Sequence, residues 1–355
     1  MITPPTYLDL SDEQEKVLAA MPFDGNHLIT GPPGSGKSLI ALHRAAMLWI
    51  AERPVQMLSY GNLLRQSTTA ATDALKVDVP ITTYHRWLNR YFRSRFGENP
   101  PAVDGERYAI DWRAVFSRVI ESGPDPDCEG HDLVIDEGQD LPKEFYLCCR
   151  FLGLNVTVCA DEHQRITEQQ STLDEISRAL GGPARYDLGA DHRTTREIAE
   201  FAAHYRDGPA APLPARRGPA PTITRHASLL EFATVLAVHA ATHTDQIIGV
   251  ALQRSADQRR LFAELHRLGV RGAQTYLSGS PRYKQVDFTR PGIRVFNVHS
   301  MKGLEFDTLF VPDLHLYGTD ATDPGIRMLA YMLFTRPRNE LHLGYEGDAR
   351  PAILV

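Results

Sequence analysis

Residues Gly31–Ser38 read GPPGSGKS, a full match to G-x-x-x-x-G-K-[ST]. The octet follows a short apolar run, His27–Thr30, and opens the apolar-periodic stretch Ser38–Ala51. Strand, glycine-rich turn and helix in that order leave a chain few options. The backbone N–H groups turn inward, and the helix N-terminus points its positive potential at the same spot. The pattern predicts a phosphate-cradling loop shaped by Gly31, Gly34, Ser35 and Gly36. Lys37 would then reach the β- and γ-phosphates of a nucleotide, and the Ser38 hydroxyl would ligate Mg²⁺.

Beyond the loop, short apolar runs alternate with helical stretches, which reads as α/β with mainly parallel sheets flanked by helices. Strand candidates are His27–Thr30, Val55–Ser59, Leu133–Asp136 and Val156–Ala160, then Gln246–Leu252, Ile293–His299, Thr308–Val311 and Leu341–Gly344. Helices are expected over Ser38–Ala51, Ser228–Thr242 and Asp257–Leu268. At about 150 residues per domain, 355 residues predict two domains. The glycine-rich stretch Gly181–Ala190 suggests the hinge, dividing the chain into residues 1–184 and 185–355.

The balance of 38 Lys+Arg against 44 Asp+Glu, net −6, argues against a general polyanion binder. A nucleic-acid partner needs a local cationic groove instead. Cys128, Cys148, Cys149 and Cys159 form no CxxC pair, and no apolar run reaches membrane length, so a cytoplasmic protein is expected. Leu133–Asp140 reads LVIDEGQD, an apolar strand ending in two acids. Such a strand can set Asp136 beside a metal and Glu137 beside an attacking water, the cation offsetting the cost of neighbouring buried carboxylates.

Several further segments, in order, resemble the motifs of superfamily 1 helicases of the UvrD/PcrA/Rep type. LSDEQEKVL (Leu10–Leu18) is similar to the adenine-reading segment, with Gln14 as its amide. MLSYGNLLRQ (Met57–Gln66) resembles a backbone-contacting motif that offers Tyr60 and Asn62 to nucleic acid. TTYHRW (Thr82–Trp87) resembles the segment carrying Thr83 and His85. CADEHQRI (Cys159–Ile166) would place Gln164 at the γ-phosphate. LGADHRTTREI (Leu188–Ile198) resembles the start of the second domain, with His192 packing on adenine and Arg193 reaching across the cleft. VFNVHSMKGLEFDTLF (Val295–Phe310) is close to the H-x-x-K-G-L-E-F signature: His299 and Lys302 would touch nucleic acid, and Glu305 the nucleotide. YMLFTRPRNELHL (Tyr331–Leu343) offers Arg336 as arginine finger.

The resemblance implies two tandem RecA-like domains of the P-loop NTPase class with ATP and Mg²⁺ between them. Lys37, Gln164, Arg193 and Arg336 would stabilise the transferring phosphoryl group, with Glu137 as the water-orienting base. Its activity would be ATP-driven translocation on single-stranded DNA. Two departures qualify the expected output. Only 46 residues separate Arg86 from Leu133, where the family carries a large insertion, and two helices are legible there, around Trp87–Phe96 and Trp112–Glu121. Ile166–Ile176 also has no aromatic, where the family stacks bases. These leave open a second function: a nucleic-acid-responsive ATPase subunit that drives a partner nuclease or effector. In Thr83–Phe96, the residues Tyr84, Trp87, Leu88, Tyr91 and Phe92 share one helical stripe and are expected in the core. Arg86, Arg90, Arg93 and Arg95 are either a solvated face or phosphate contacts.

Overall fold

A central feature of both halves is a sheet of six parallel strands with helices packed against it. The computed structural model describes residues 10–59, 61, 65–66, 68–69, 76–103, 105, 109–161, 170–206, 212–277 and 283–354. Among these, one compact unit holds residues 10–32 and 36–188, and a second holds 33–35 and 189–354.

The first unit contains β1 (His27–Thr30), β2 (Val55–Ser59), β3 (Ile81–Thr83), β4 (Asp132–Ile135), β5 (Asn155–Ala160) and β6 (Ala184–Asp187), in the order β3-β2-β4-β5-β1-β6. Its inner strands are buried on both faces, as parallel strands must be when helices cover both sides. Alternation assigns neighbours to opposite layers. Leu28 packs with Trp87, Tyr91, Phe92 and Phe145, whereas Ile29 packs with Ile40, Ala45 and Leu48. The helices are α1 (Asp12–Ala20), α2 (Lys37–Ile50), α3 (Tyr84–Phe96), α4 (Trp112–Glu121), α5 (Lys143–Phe151) and α6 (Leu173–Leu180). The stripe Tyr84, Trp87, Leu88, Tyr91 and Phe92 is buried along α3, each side chain removing an apolar surface worth ~2–3 kcal/mol from water. On the outer face of α3, Arg93 bonds Asn99 at 2.9 Å and Arg95 lies 3.7 Å from Asp125.

The second unit contains β7 (Thr222–Arg225), β8 (Ile247–Leu252), β9 (Gln274–Thr275), β10 (Gly292–Asn297), β11 (Phe306–Val311) and β12 (Pro337–Tyr345), in the order β7-β12-β11-β8-β10-β9. Its helices are α7 (Arg196–Ala203), α8 (Leu229–Thr242), α9 (Ser255–Arg267) and α10 (Pro324–Phe334). Asp323 caps α10 and Pro324 occupies its first turn, where a missing N–H costs nothing.

All eight expected strands form, with ends shifted by up to four residues. The strands that were not expected are β3, β6, β7 and β9, the two outermost strands of each sheet. They are short or polar, and none is a continuous buried run. Pro337 opens β12, a strand position that needs no donated N–H. The strand β6 also runs through the stretch anticipated as a hinge, pairing His27–Thr30 with Ala184–Asp187. Among the described residues, no helix is long and apolar enough to cross a membrane.

Candidate functional site

In the first unit Gly36, Lys37, Ser38, Asp136 and Glu137 follow the carboxyl ends of β1 and β4, which flank β5 in the sheet. Open parallel sheets bind ligands at that edge, because successive strand-to-helix loops all open there. The loop after β1 turns on Gly34 and Gly36, with φ of +79° and +87°. Gly36 caps α2, and a Cβ there would stand 2.1 Å from Gln14 Nε2. Only glycine meets both demands. Ser35 is fully buried. Gln14 itself is buried, and its Oε1 accepts the Ser11 N–H at 2.9 Å in the capping box of α1.

Lys37 lies back over the loop. Its Nζ donates to the carbonyls of Gly31 at 2.7 Å and Pro32 at 2.9 Å and sits 3.6 Å from Asp161 Oδ2. Beyond β4, Asp136 Oδ1 accepts the Glu137 N–H at 3.0 Å, and the Ser38 hydroxyl bonds the same carboxylate. Burial first, then the charge of Glu137, pushes the Asp136 carboxyl pKa upward. Asp136 Oδ2 is inaccessible and has no hydrogen-bond partner among the described residues. A buried carboxylate oxygen beside a serine hydroxyl and a lysine fits a hard divalent cation, which would satisfy that oxygen and offset the repulsion.

Glu137 adopts φ 55° and ψ 42°, the left-handed region, at a cost of ~1–2 kcal/mol for a residue with a side chain. The conformation is held by Gln139, which is fully buried. Its amide donates to Glu137 Oε2 at 2.6 Å, and its Oε1 accepts the Asp161 N–H at 3.0 Å. One side chain thereby ties the acid after β4 to the chain leaving β5. Gln139 was assigned no role from the sequence, although it lies within LVIDEGQD; its spacing from Glu137 was the available signal. Gln164, Tyr60 and Asn62 lie outside the described residues. Thr83 caps α3 by accepting the Arg86 N–H at 3.4 Å, and His85 is half-buried against the Tyr84 ring, where burial lowers its pKa.

In the second unit Arg193 and Glu305 form an ion pair, and Arg193 Nη1 donates to the Thr335 carbonyl at 3.3 Å. Arg338 binds the other Glu305 oxygen at 2.8 Å. Burial alone would raise the Glu305 pKa, but the two guanidinium groups outweigh it and hold the carboxyl at about 2. Arg216 donates to the Arg193 and Arg338 carbonyls, holding the backbone at both arginines of the cluster, and to Asn339 Oδ1 at 2.8 Å. Arg336 is 1% exposed, and its Nε donates to the Met332 carbonyl at 2.9 Å. His192 and His299 are exposed, whereas Lys302 is half-buried. The sequence brought Arg193, Glu305 and Arg336 to notice separately. The structure brings Arg193 and Glu305 together and adds Arg338 and Arg216.

No family model and no curated protein matches the chain. Among solved structures, the C-terminal domain of a possible DNA helicase from Lactobacillus plantarum is similar over 46% of this chain and 92% of its own, at 20% identity and a TM-score of 0.34.

Proposed function

We propose that this protein is an ATP hydrolase of the UvrD-like superfamily 1 type, with two RecA-like domains, whose turnover drives movement along single-stranded DNA. What supports the reading most is one convergence. A glycine loop with its lysine, a serine, a buried carboxylate with an orphan oxygen, and a second, strained carboxylate meet at one edge of a parallel sheet. Gly31–Ser38 would hold the phosphates, and Ser38 and Asp136 would hold Mg²⁺. That ion, when bound, would neutralise charge on the β- and γ-oxygens. Glu137, fixed by Gln139, would orient a water and receive its proton. Lys37 would move from the loop carbonyls to the phosphates, exchanging neutral acceptors for charged ones. Arg193 and Arg336, with Gln164, would supply further positive or polar contacts to the transferring group, which spreads negative charge over its equatorial oxygens. Gln14, His192 and Glu305 would contact the rest of the nucleotide. Tyr60, Asn62, Thr83, His85, His299 and Lys302 would line the nucleic-acid path.

The second reading, a regulatory ATPase subunit acting through a nuclease or other effector, is favoured by α3 and α4. They fill the short span before β4, and the α3 aromatics are committed to the core, so they offer no base-stacking platform. ATPase rates of the full chain with and without single-stranded DNA or RNA oligomers test the first reading. Several-fold stimulation by DNA is expected. Turnover indifferent to nucleic acid would count against a motor. ATP binding with no movement or strand displacement until a partner is added would select the subunit.

A further inference from the structure

We propose that His239, Glu340 and His342 form a Zn²⁺ site on the second unit, separate from the nucleotide machinery and independent of the reading given above. Glu340 and His342 sit two residues apart on β12 and therefore share one face of the sheet, and His239 descends onto that face from α8. One donor atom from each of the three residues lies within 4.8 Å of the others. Donors around tetrahedral zinc stand ~3.3 Å apart, so the set closes if each pair draws together by ~1.5 Å at most.

Each imidazole is prepared differently. On the neighbouring strand β7, Thr222 pairs in register with His342, and its Oγ1 is 2.8 Å from His342 Nδ1. That contact turns His342 Nε2 toward Glu340 Oε2, 2.9 Å away. A hydrogen bond to the far nitrogen is how proteins commonly fix the tautomer of a metal-binding histidine. His239 Nε2 is shut off from solvent and has no hydrogen-bond partner among the described residues.

Phe310 on β11 forms the apolar floor, stacked on His342 at 4.4 Å and edge-on to His239 at 5.1 Å. His243, one turn along, stacks on His239 at 4.0 Å and steadies the ring. Glu340 and His342 keep 25% and 23% of their side-chain surface exposed, which leaves an entry path and room for water as a fourth ligand. A plain His–Glu surface pair would explain Glu340 and His342 but not the buried, unsatisfied nitrogen of His239, which is costly without a partner. Two imidazoles and one carboxylate suit zinc rather than calcium or magnesium, which prefer all-oxygen sets.

The test uses the untagged full chain, stripped with a chelator and then titrated with Zn²⁺ by calorimetry, with Co²⁺ as a spectroscopic probe. One tight equivalent is expected, with an intense tetrahedral Co²⁺ spectrum and a thermal midpoint that rises with Zn²⁺. His239→Gln should remove that equivalent and the midpoint shift. Thr222→Val replaces an exposed side chain at the sheet edge, so the fold should tolerate it, and it should weaken Zn²⁺ binding ~10–100-fold. Absence of a tight equivalent in the wild type, or binding unchanged in both variants, would overturn the site.

Discussion

The two units handle charge in opposite ways. In the first, Asp136 and Glu137 stand side by side in the interior, one with an oxygen that has no hydrogen-bond partner among the described residues and the other on a left-handed backbone. In the second, the Glu305 carboxylate is compensated by Arg193 and Arg338. The first arrangement is incomplete without a cation, whereas the second is a closed circuit that an anion would have to open. On the proposed function, Mg²⁺ would satisfy that Asp136 oxygen in the first unit.

A large effect is expected at the loop. Lys37→Ala should lower ATP turnover ~10²–10³-fold, the usual loss when one charge-stabilising donor is removed, as read by phosphate release. A smaller fall would mean that the loop carbonyls, not phosphate, are the functional partners of that lysine.

Glu305→Gln should sharpen the contrast from the other side. A carboxyl whose folded pKa is below its unfolded value contributes stability that is present above about pH 4.5 and lost as pH falls through about 2. Because the side chain is 30% exposed, the contribution is discounted for screening to the order of 2 kcal/mol. Denaturant titrations should therefore show the wild type more stable than the variant at pH 7, with the gap closing near pH 2. A gap that is constant with pH would mean that packing, not the ion pairs, is what Glu305 supplies.

Gln139→Met should lower kcat ~10-fold with KM little changed, because the glutamine acts through Glu137 rather than on the nucleotide. An equal rise in KM would make it a binding residue instead. The smallest effect is a gain. Asp136 has a raised pKa, so its charged form opposes folding as pH rises. Asp136→Asn should stabilise the metal-free chain by about 1 kcal/mol at pH 8, less at pH 5, as read by denaturant titration. Destabilisation at both pH values would place the Ser38 hydrogen bond above the charge.

How much of this was legible in the sequence follows burial. Inner strands such as Val55–Ser59 and Ile247–Leu252 are apolar throughout and announce themselves. Edge strands such as Ala184–Asp187 and Thr222–Arg225 are held by backbone hydrogen bonds on one side only and carry polar side chains, so an apolar-run criterion passes over them. The loop residues Gly31–Ser38 and the acids Asp136 and Glu137 were legible because local spacing places them. Gln139 was not, because its role is to join two strand ends that are distant in sequence. Arg338 was likewise missed beside Arg336: alternation along β12 turns its side chain to Glu305, which only the sheet register reveals. His239 and His342 lie about a hundred residues apart and meet only because α8 crosses the face of β12.

The most direct test is a paired measurement on wild type and Glu137→Gln: equilibrium binding of ATP in the presence of Mg²⁺, and phosphate release at saturating ATP. The carboxylate after β4 is expected to act in the chemical step alone, so the variant should bind ATP as the wild type does and release phosphate ~10²–10⁴-fold more slowly. Equal rates of release in the two proteins would contradict a hydrolytic site at this edge of the sheet.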